Sequence, residues 1–210
     1  MSETFQERLD AVNRRIEAAC GRSGRDPSGV RLIAVSKTHG PDSIREAEAC
    51  GLRVFGENKV QEAKVKIPLC SGSLSWHMVG HLQRNKVREA VELFEMIHSV
   101  DSLRLLESID EGCDEAGRNM PVLLEVNVSG EGSKFGMSPD AVPEVLEAAN
   151  RLMHVNIAGL MTMPPFTEDP EKARPHFRRL RDLRDQWRAA TGVALEDLSM
   201  GMTHDFEVAI

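Results

Sequence analysis

Tyrosine is absent from the 210 residues, and aromatic side chains make up only 4% of them. None of these residues can therefore supply a tyrosine phenol as acid or base. Cysteine is scarce: Cys20, Cys50, Cys70 and Cys113 are widely spaced and form no C-x-x-C pair. They read as free thiols in a reducing compartment, which makes the cytoplasm the expected location. No apolar stretch is long enough to span a bilayer, and the polar, acidic start Met1–Glu7 is unlike a signal peptide. Excess positive charge is also lacking. A formal net charge of −7 argues against nonspecific nucleic-acid binding and gives no reason for attraction to anionic membranes. Two nucleotide signatures are missing as well. No G-x-G-x-x-G follows the first apolar run, and the glycine-rich segment Gly130–Gly136 lacks the G-K-[ST] ending of a P-loop, so it reads as a mobile loop.

What remains is a regular alternation. Short apolar runs at Val30–Lys37, Leu52–Asn58, Trp76–Gly80, Met96–Val100, Val122–Val128, Val155–Met161 and Leu198–Met202 read as strands. Segments of helical period separate them. Phe5, Leu9, Val12 and Ile16 share one face behind a Thr4–Glu7 capping box, and Gly21 is expected to end that helix. Ser43 with Glu46 is the expected cap of the next helix. Asp101 is the expected cap of the helix bearing Leu103, Leu106, Ile109 and Cys113. Ser138-Pro139 and Asp169-Pro170 open two more, and Pro175 is expected to bend the last or split off a short leading helix. Thr203 is the expected cap of a final helix.

Strict strand–helix alternation implies parallel strands covered by helices. A single domain over residues 1–210 is expected, built either as an open doubly wound sheet or as a (β/α)8 barrel. The barrel is favoured, because polar residues collect at the carboxyl ends of nearly every run: Lys37, Asn58, His81, Ser99, Asn127, Ser129, Thr162 and Ser199. In a barrel those ends meet at one mouth, where active sites lie. Seven runs are present, so the eighth strand of a full barrel is absent from these residues.

Lys37 stands out at the end of the first run. A lysine buried there would be costly as a cation, and desolvation would lower its pKa and free an amine able to attack a carbonyl. A lysine reaching into solvent is the plainer reading. His77 and His81 are four apart on or just after a strand, a span of about 13 Å, so they cannot share a metal, and no metal site is expected. His77 reads as a packed or hydrogen-bonded strand residue and His81 as a candidate for the mouth. Ser199-Met200-Gly201-Met202-Thr203 places small residues at a strand end before a helix, which suits a phosphate as well as an ordinary loop. Arg174, Arg178, Arg179, Arg181, Arg184 and Arg188 are interleaved with acids and read as a solvated helix face, with a partner surface as the second reading.

Several segments together resemble the pyridoxal phosphate homeostasis protein family, a group of cytosolic B6-binding barrels. They are Leu32–Thr38 (LIAVSKT), Phe55–Glu62 (FGENKVQE), Trp76–Lys86 (WHMVGHLQRNK), Ile97–Asp101 (IHSVD), Glu125–Ser129 with Lys134–Gly136, Gly159–Met163 (GLMTM) and Leu198–Phe206 (LSMGMTHDF). The resemblance runs through nearly the whole chain in order. It implies a barrel like the N-terminal domain of alanine racemase and a cofactor, pyridoxal 5′-phosphate (PLP), held by Lys37 as an internal aldimine. It further implies that Asn58 lies near the cofactor ring and that Ser199 and the Gly201 backbone hold the phosphate, with Thr203 where relatives usually carry serine. His81 joins these as a candidate rim residue. Relatives continue into an eighth strand with an Arg-Ile-Gly-Thr-like sequence that faces the pyridine nitrogen and completes the phosphate site. An omitted tail is the expectation here. The implied function is a monomeric PLP carrier or buffer that delivers the cofactor to apo-enzymes, without turnover and so without catalytic residues. The alternative is an amino-acid racemase of the same barrel type. Such racemases take one of their two acid/base groups from a tyrosine on a second domain, and this chain has neither. A binding module unrelated to PLP is a third class.

Overall fold

Seven short apolar runs become seven strands: β1 (Ala34–Val35), β2 (Val54–Glu57), β3 (Ser75–Met78), β4 (Met96–Val100), β5 (Met120–Glu125), β6 (Val155–Met161) and β7 (Asp197–Ser199). The computed structural model describes residues 3–131 and 135–210. Among them the strands form one sheet in the order β1-β2-β3-β4-β5-β6-β7, every neighbouring pair parallel. The sheet is a half-barrel of the (β/α)8 type, with β1 and β7 at its two ends.

Helices cover the outer face. They are α1 (Phe5–Ser23), α2 (Pro41–Ala49), α3 (Val60–Lys66), α4 (Val87–Leu93), α5 (Leu103–Ala116), α6 (Val142–Ala149), α7 (Arg174–Thr191) and α8 (Phe206–Ala209). The large core lies between sheet and helices: Phe55, Trp76, Met78, Ile97, Leu124 and Leu160 from the strands pack with Ile44, Val91, Leu106, Ile109 and Leu180 from the helices. Inside the half-barrel a smaller cluster of Met96, Leu123 and Met161 forms a separate apolar floor. Strand residues two apart share a face, so above this floor the same faces carry His98 and Glu125, and Ser199 of β7 meets His98 there at 2.9 Å.

Local chemistry explains the element ends. Thr4 and Glu7 form the expected capping box on α1, but that helix runs through Gly21 to Ser23, where Gly24 takes the left-handed conformation at φ 69°. The N-cap of α2 is Gly40, with Pro41 at the first helical position, rather than Ser43. The N-cap of α5 is Ser102, whose hydroxyl accepts from the Leu105 N–H at 3.3 Å; Asp101 is turned instead toward His81. Pro170 opens a separate 3-10 turn, Pro170–Ala173, ahead of α7, so the leading helix is split off as expected. Thr203 is not the cap of α8. Asp205 occupies that position, and α8 is a single turn.

The ends of the sheet are tied together from outside. Arg15 of α1 pairs with Glu207 of α8 at 2.8 Å and lies over the Phe206 ring at 4.5 Å, so the helix before β1 meets the helix after β7. Gly159 permits the β6–β7 pairing, because a Cβ there would overlap the Asp197 backbone.

Candidate functional site

All seven strands point the same way, so their carboxyl ends form one rim, and the residues singled out from the sequence sit along it. Lys37 follows β1 and is exposed. The burial expected around it is not present. Only Ala34 and Val35 pair with β2, β1 is the outermost strand, and Val35 itself is 47% exposed. The Lys37 side chain stands in solvent rather than in the core.

The backbone beneath Lys37 is braced. Lys37 and Thr38 form a tight turn closed by a 3.0 Å hydrogen bond from the His39 N–H to the Ser36 carbonyl. Thr38 has φ 67°, a left-handed conformation that is a strong outlier for a β-branched residue. Such strain costs roughly 1–3 kcal/mol and persists only where surrounding contacts fix it. Here the Thr38 N–H donates to Glu62 Oε1 at 2.7 Å, Lys66 Nζ donates to the Ser36 carbonyl at 2.7 Å, and Ser36 Oγ donates to Glu57 Oε1 at 2.6 Å. Lys66 Nζ also bonds Glu57 Oε1 at 2.6 Å and Glu62 Oε1 at 2.9 Å. Hydrogen bonds to charged groups are worth about 1.5–3 kcal/mol each, enough to hold the strained turn. Lys66 and Glu57 are buried, and burial alone would lower the Lys66 pKa. The hydrogen bonds to Glu57 and Glu62 outweigh it and hold the ammonium above its ordinary range. The hydrogen bond from Lys66 holds the Glu62 carboxyl below its own.

Asn58 follows β2 and is half-buried, with the rim glycine Gly80 against its backbone; a Cβ at Gly80 would overlap Asn58. Ser99 fixes that glycine by donating to its carbonyl at 2.5 Å. His81 lies on the rim, its Nδ1 3.2 Å from Asp101 Oδ2 and its ring stacked on Phe135 at 4.2 Å. Within the glycine-rich segment, Gly132, Ser133 and Lys134 lie outside the described residues. His77 faces inward, buried, and meets His98 rather than His81. On the outside, Arg174, Arg181 and Arg184 pair with Glu171, Asp182 and Asp185, and Arg179 donates to the Val128 carbonyl at 2.9 Å.

At the other end of the rim, Ser199 closes β7 and Gly201 follows at φ 85°. A Cβ on Gly201 would come within 2.8 Å of both Phe206 Cα and Ala209 Cβ, so only glycine fits. The Met202 N–H is taken by Asp205 Oδ1 at 2.6 Å, with Asp205 buried below the turn. Among the described residues nothing accepts from the N–H groups of Gly201, Thr203 or His204, and Thr203 is exposed. Two hydroxyls and three backbone donors on a glycine turn suit an anion.

Three titratable groups inside the half-barrel are strongly perturbed. Burial pushes the Glu125 carboxyl up to about 7, helped by Asp101. Burial and the positive charge of Arg31 push His77 down to about 4, and burial, His77 and Arg31 push His98 down to about 3.

The family model for the alanine racemase N-terminal domain matches residues 8–209. That match fixes the class of the fold. Similar proteins include the pyridoxal phosphate homeostasis protein of Aquifex aeolicus, 45% identical over 97% of this chain and 90% of the relative, and that of Pseudomonas aeruginosa, 41% identical over 99% and 89%. The solved structures of PipY from Synechococcus elongatus, without and with PLP bound, superpose with TM-scores of 0.84 and 0.82 at 38% and 37% identity. They match 94% and 93% of this chain and 92% of PipY in each case. An alanine racemase of Clostridium difficile shares the fold with a TM-score of 0.71 at 11% identity, over 90% of this chain and 49% of the racemase. The chain belongs to the pyridoxal phosphate homeostasis protein family.

Proposed function

We propose that this protein binds PLP at the rim of the half-barrel and serves vitamin B6 homeostasis as a carrier or buffer. The observation that carries this reading is the pairing, on one rim, of a lysine amine on a rigidly braced turn with an anion-suited glycine turn. PLP offers an aldehyde to the first and a phosphate dianion to the second. Lys37 forms the covalent link, a C=N bond made with loss of one water. Ser199, Gly201 and Thr203 hold the phosphate, Asn58 lies beside the ring, and His81 belongs to the rim. The names of the relatives and the PLP-bound PipY structure support the same ligand.

Exposure of Lys37 favours carriage over catalysis. Water and an acceptor protein can reach the linkage, so the aldehyde can be released to apo-enzymes in the cytoplasm. A racemase instead needs acid/base groups placed on both faces of the substrate carbon and shields them from solvent. Lys37 supplies one face, and the chain has no tyrosine for the other. The relatives are named for homeostasis, not for turnover.

The test is spectroscopic. PLP added to the purified protein is expected to give a visible absorption band, and borohydride to fix the label on the peptide containing Lys37. Lys37→Ala is expected to abolish both, and alanine in deuterium oxide to show no enzymatic α-proton exchange. Labelling of a different lysine, or exchange at an enzymatic rate, would refute this reading.

A further inference from the structure

Ser199 is not alone inside the half-barrel. Its Oγ lies 2.9 Å from Nδ1 of His98, and Nε2 of His98 lies 2.9 Å from Nδ1 of His77. Both histidines are buried, with rings tilted 52° at 5.0 Å. The line runs from β3 through β4 to β7. Strands β4 and β7 are not neighbours in the sheet, so the last contact crosses the interior.

A neutral imidazole has one donor and one acceptor. That leaves two self-consistent arrangements of this chain. In one, His77 Nδ1–H donates to His98 Nε2, His98 Nδ1–H donates to Ser199 Oγ, and the serine proton is free to point outward. In the other, Ser199 donates inward, and its lone pairs alone face the rim. Both histidines titrate far below neutrality, so the chain carries oriented dipoles rather than a charge. An anion at the β7 turn selects the first arrangement, because it needs a donor from Ser199.

We infer that His98, backed by His77, is a positioning residue that commits the Ser199 hydroxyl to donate to a phosphoryl group and so makes the site prefer phosphorylated over unphosphorylated ligand. This inference rests on the PLP reading above and names which side chains outside the ligand's reach set its phosphate preference. His77 and His98 need not touch the ligand.

The experiment compares PLP with pyridoxal. A hydrogen bond to a charged group is worth roughly tenfold or more in affinity. His98→Leu is expected to lower the PLP-to-pyridoxal affinity ratio about tenfold. His98→Asn, whose amide nitrogen can replace Nδ1 as donor, is expected to restore most of it. Adding His98→Leu to Ser199→Ala is expected to cause no further loss, since one contact cannot be lost twice. Nitrogen NMR of wild-type protein titrated with inorganic phosphate or PLP needs no variant and is expected to show both histidines as Nδ1–H tautomers. Equal losses for both ligands, additive losses in the double variant, or an Nε2–H tautomer at His98 in the loaded protein would overturn the inference while leaving PLP binding intact. Wild-type protein that binds neither PLP nor phosphate would overturn both.

Discussion

Mild acid should unfold this protein more easily, and the interior residues set by how much. His77 and His98 have folded pKa values of about 4 and about 3 against an ordinary 6.5. Their neutral forms favour the fold above the ordinary value, and that stability is lost as pH falls toward the folded values. Glu125 acts in the opposite sense. Its folded pKa of about 7 against an ordinary 4.5 means that the folded state already holds a proton there. Its contribution is full below the ordinary value and is lost as pH rises through about 7. Between roughly pH 5 and 6 the unfolded chain thus gains two histidine protons and releases one from Glu125, a net uptake of about one. Stability should fall by about 1.4 kcal/mol per pH unit across that interval. Urea unfolding followed by fluorescence of the buried Trp76 and Trp187 measures the slope. His98→Asn should flatten it toward zero, and Glu125→Gln should steepen it to about 3 kcal/mol per unit. A flat wild-type profile, or slopes that ignore both substitutions, would refute the assignment of these protons.

Other substitutions separate bracing from binding. Lys66→Met leaves the Glu57 carboxylate buried without its cation and should cost about 3–5 kcal/mol in urea unfolding, with much of that recovered in Lys66→Met combined with Glu57→Leu. Lys37→Ala removes an exposed side chain and should change stability by no more than about 0.5 kcal/mol while eliminating the borohydride-fixed label. Gly201→Ala meets both a left-handed φ and the backbone of Phe206. It should destabilise by about 1–3 kcal/mol and weaken PLP more than pyridoxal in equilibrium titrations.

Much of this fold could be read in the chain because each parallel strand is a short apolar run bounded by turn residues. The errors have local physical causes. Asp101 looked like a helix cap, but its carboxylate is drawn to His81, leaving the task to Ser102. Thr203 looked like another, but Asp205 captures the Met202 N–H first. Lys37 is legible as the residue closing the first apolar run, yet β1 itself ends at Val35, and the burial of Lys37 depends on how many residues of β1 find a neighbour, which a single run of apolar letters does not reveal. The brace below it was partly visible: Glu62 and Lys66 stand at the i, i+4 spacing of a helical ion pair. The link from Ser199 to His98 spans 101 positions and has no local signature.

The salt bridge between Lys66 and Glu57 has side-chain exposures of only 6% and 0%. Dissolved ions act on charges that water can reach and leave enclosed ones almost untouched. The platform under Lys37 should therefore hold its shape from dilute buffer to concentrated brine, while the Arg174–Glu171 pair at the surface, open to the medium, loosens as ionic strength climbs.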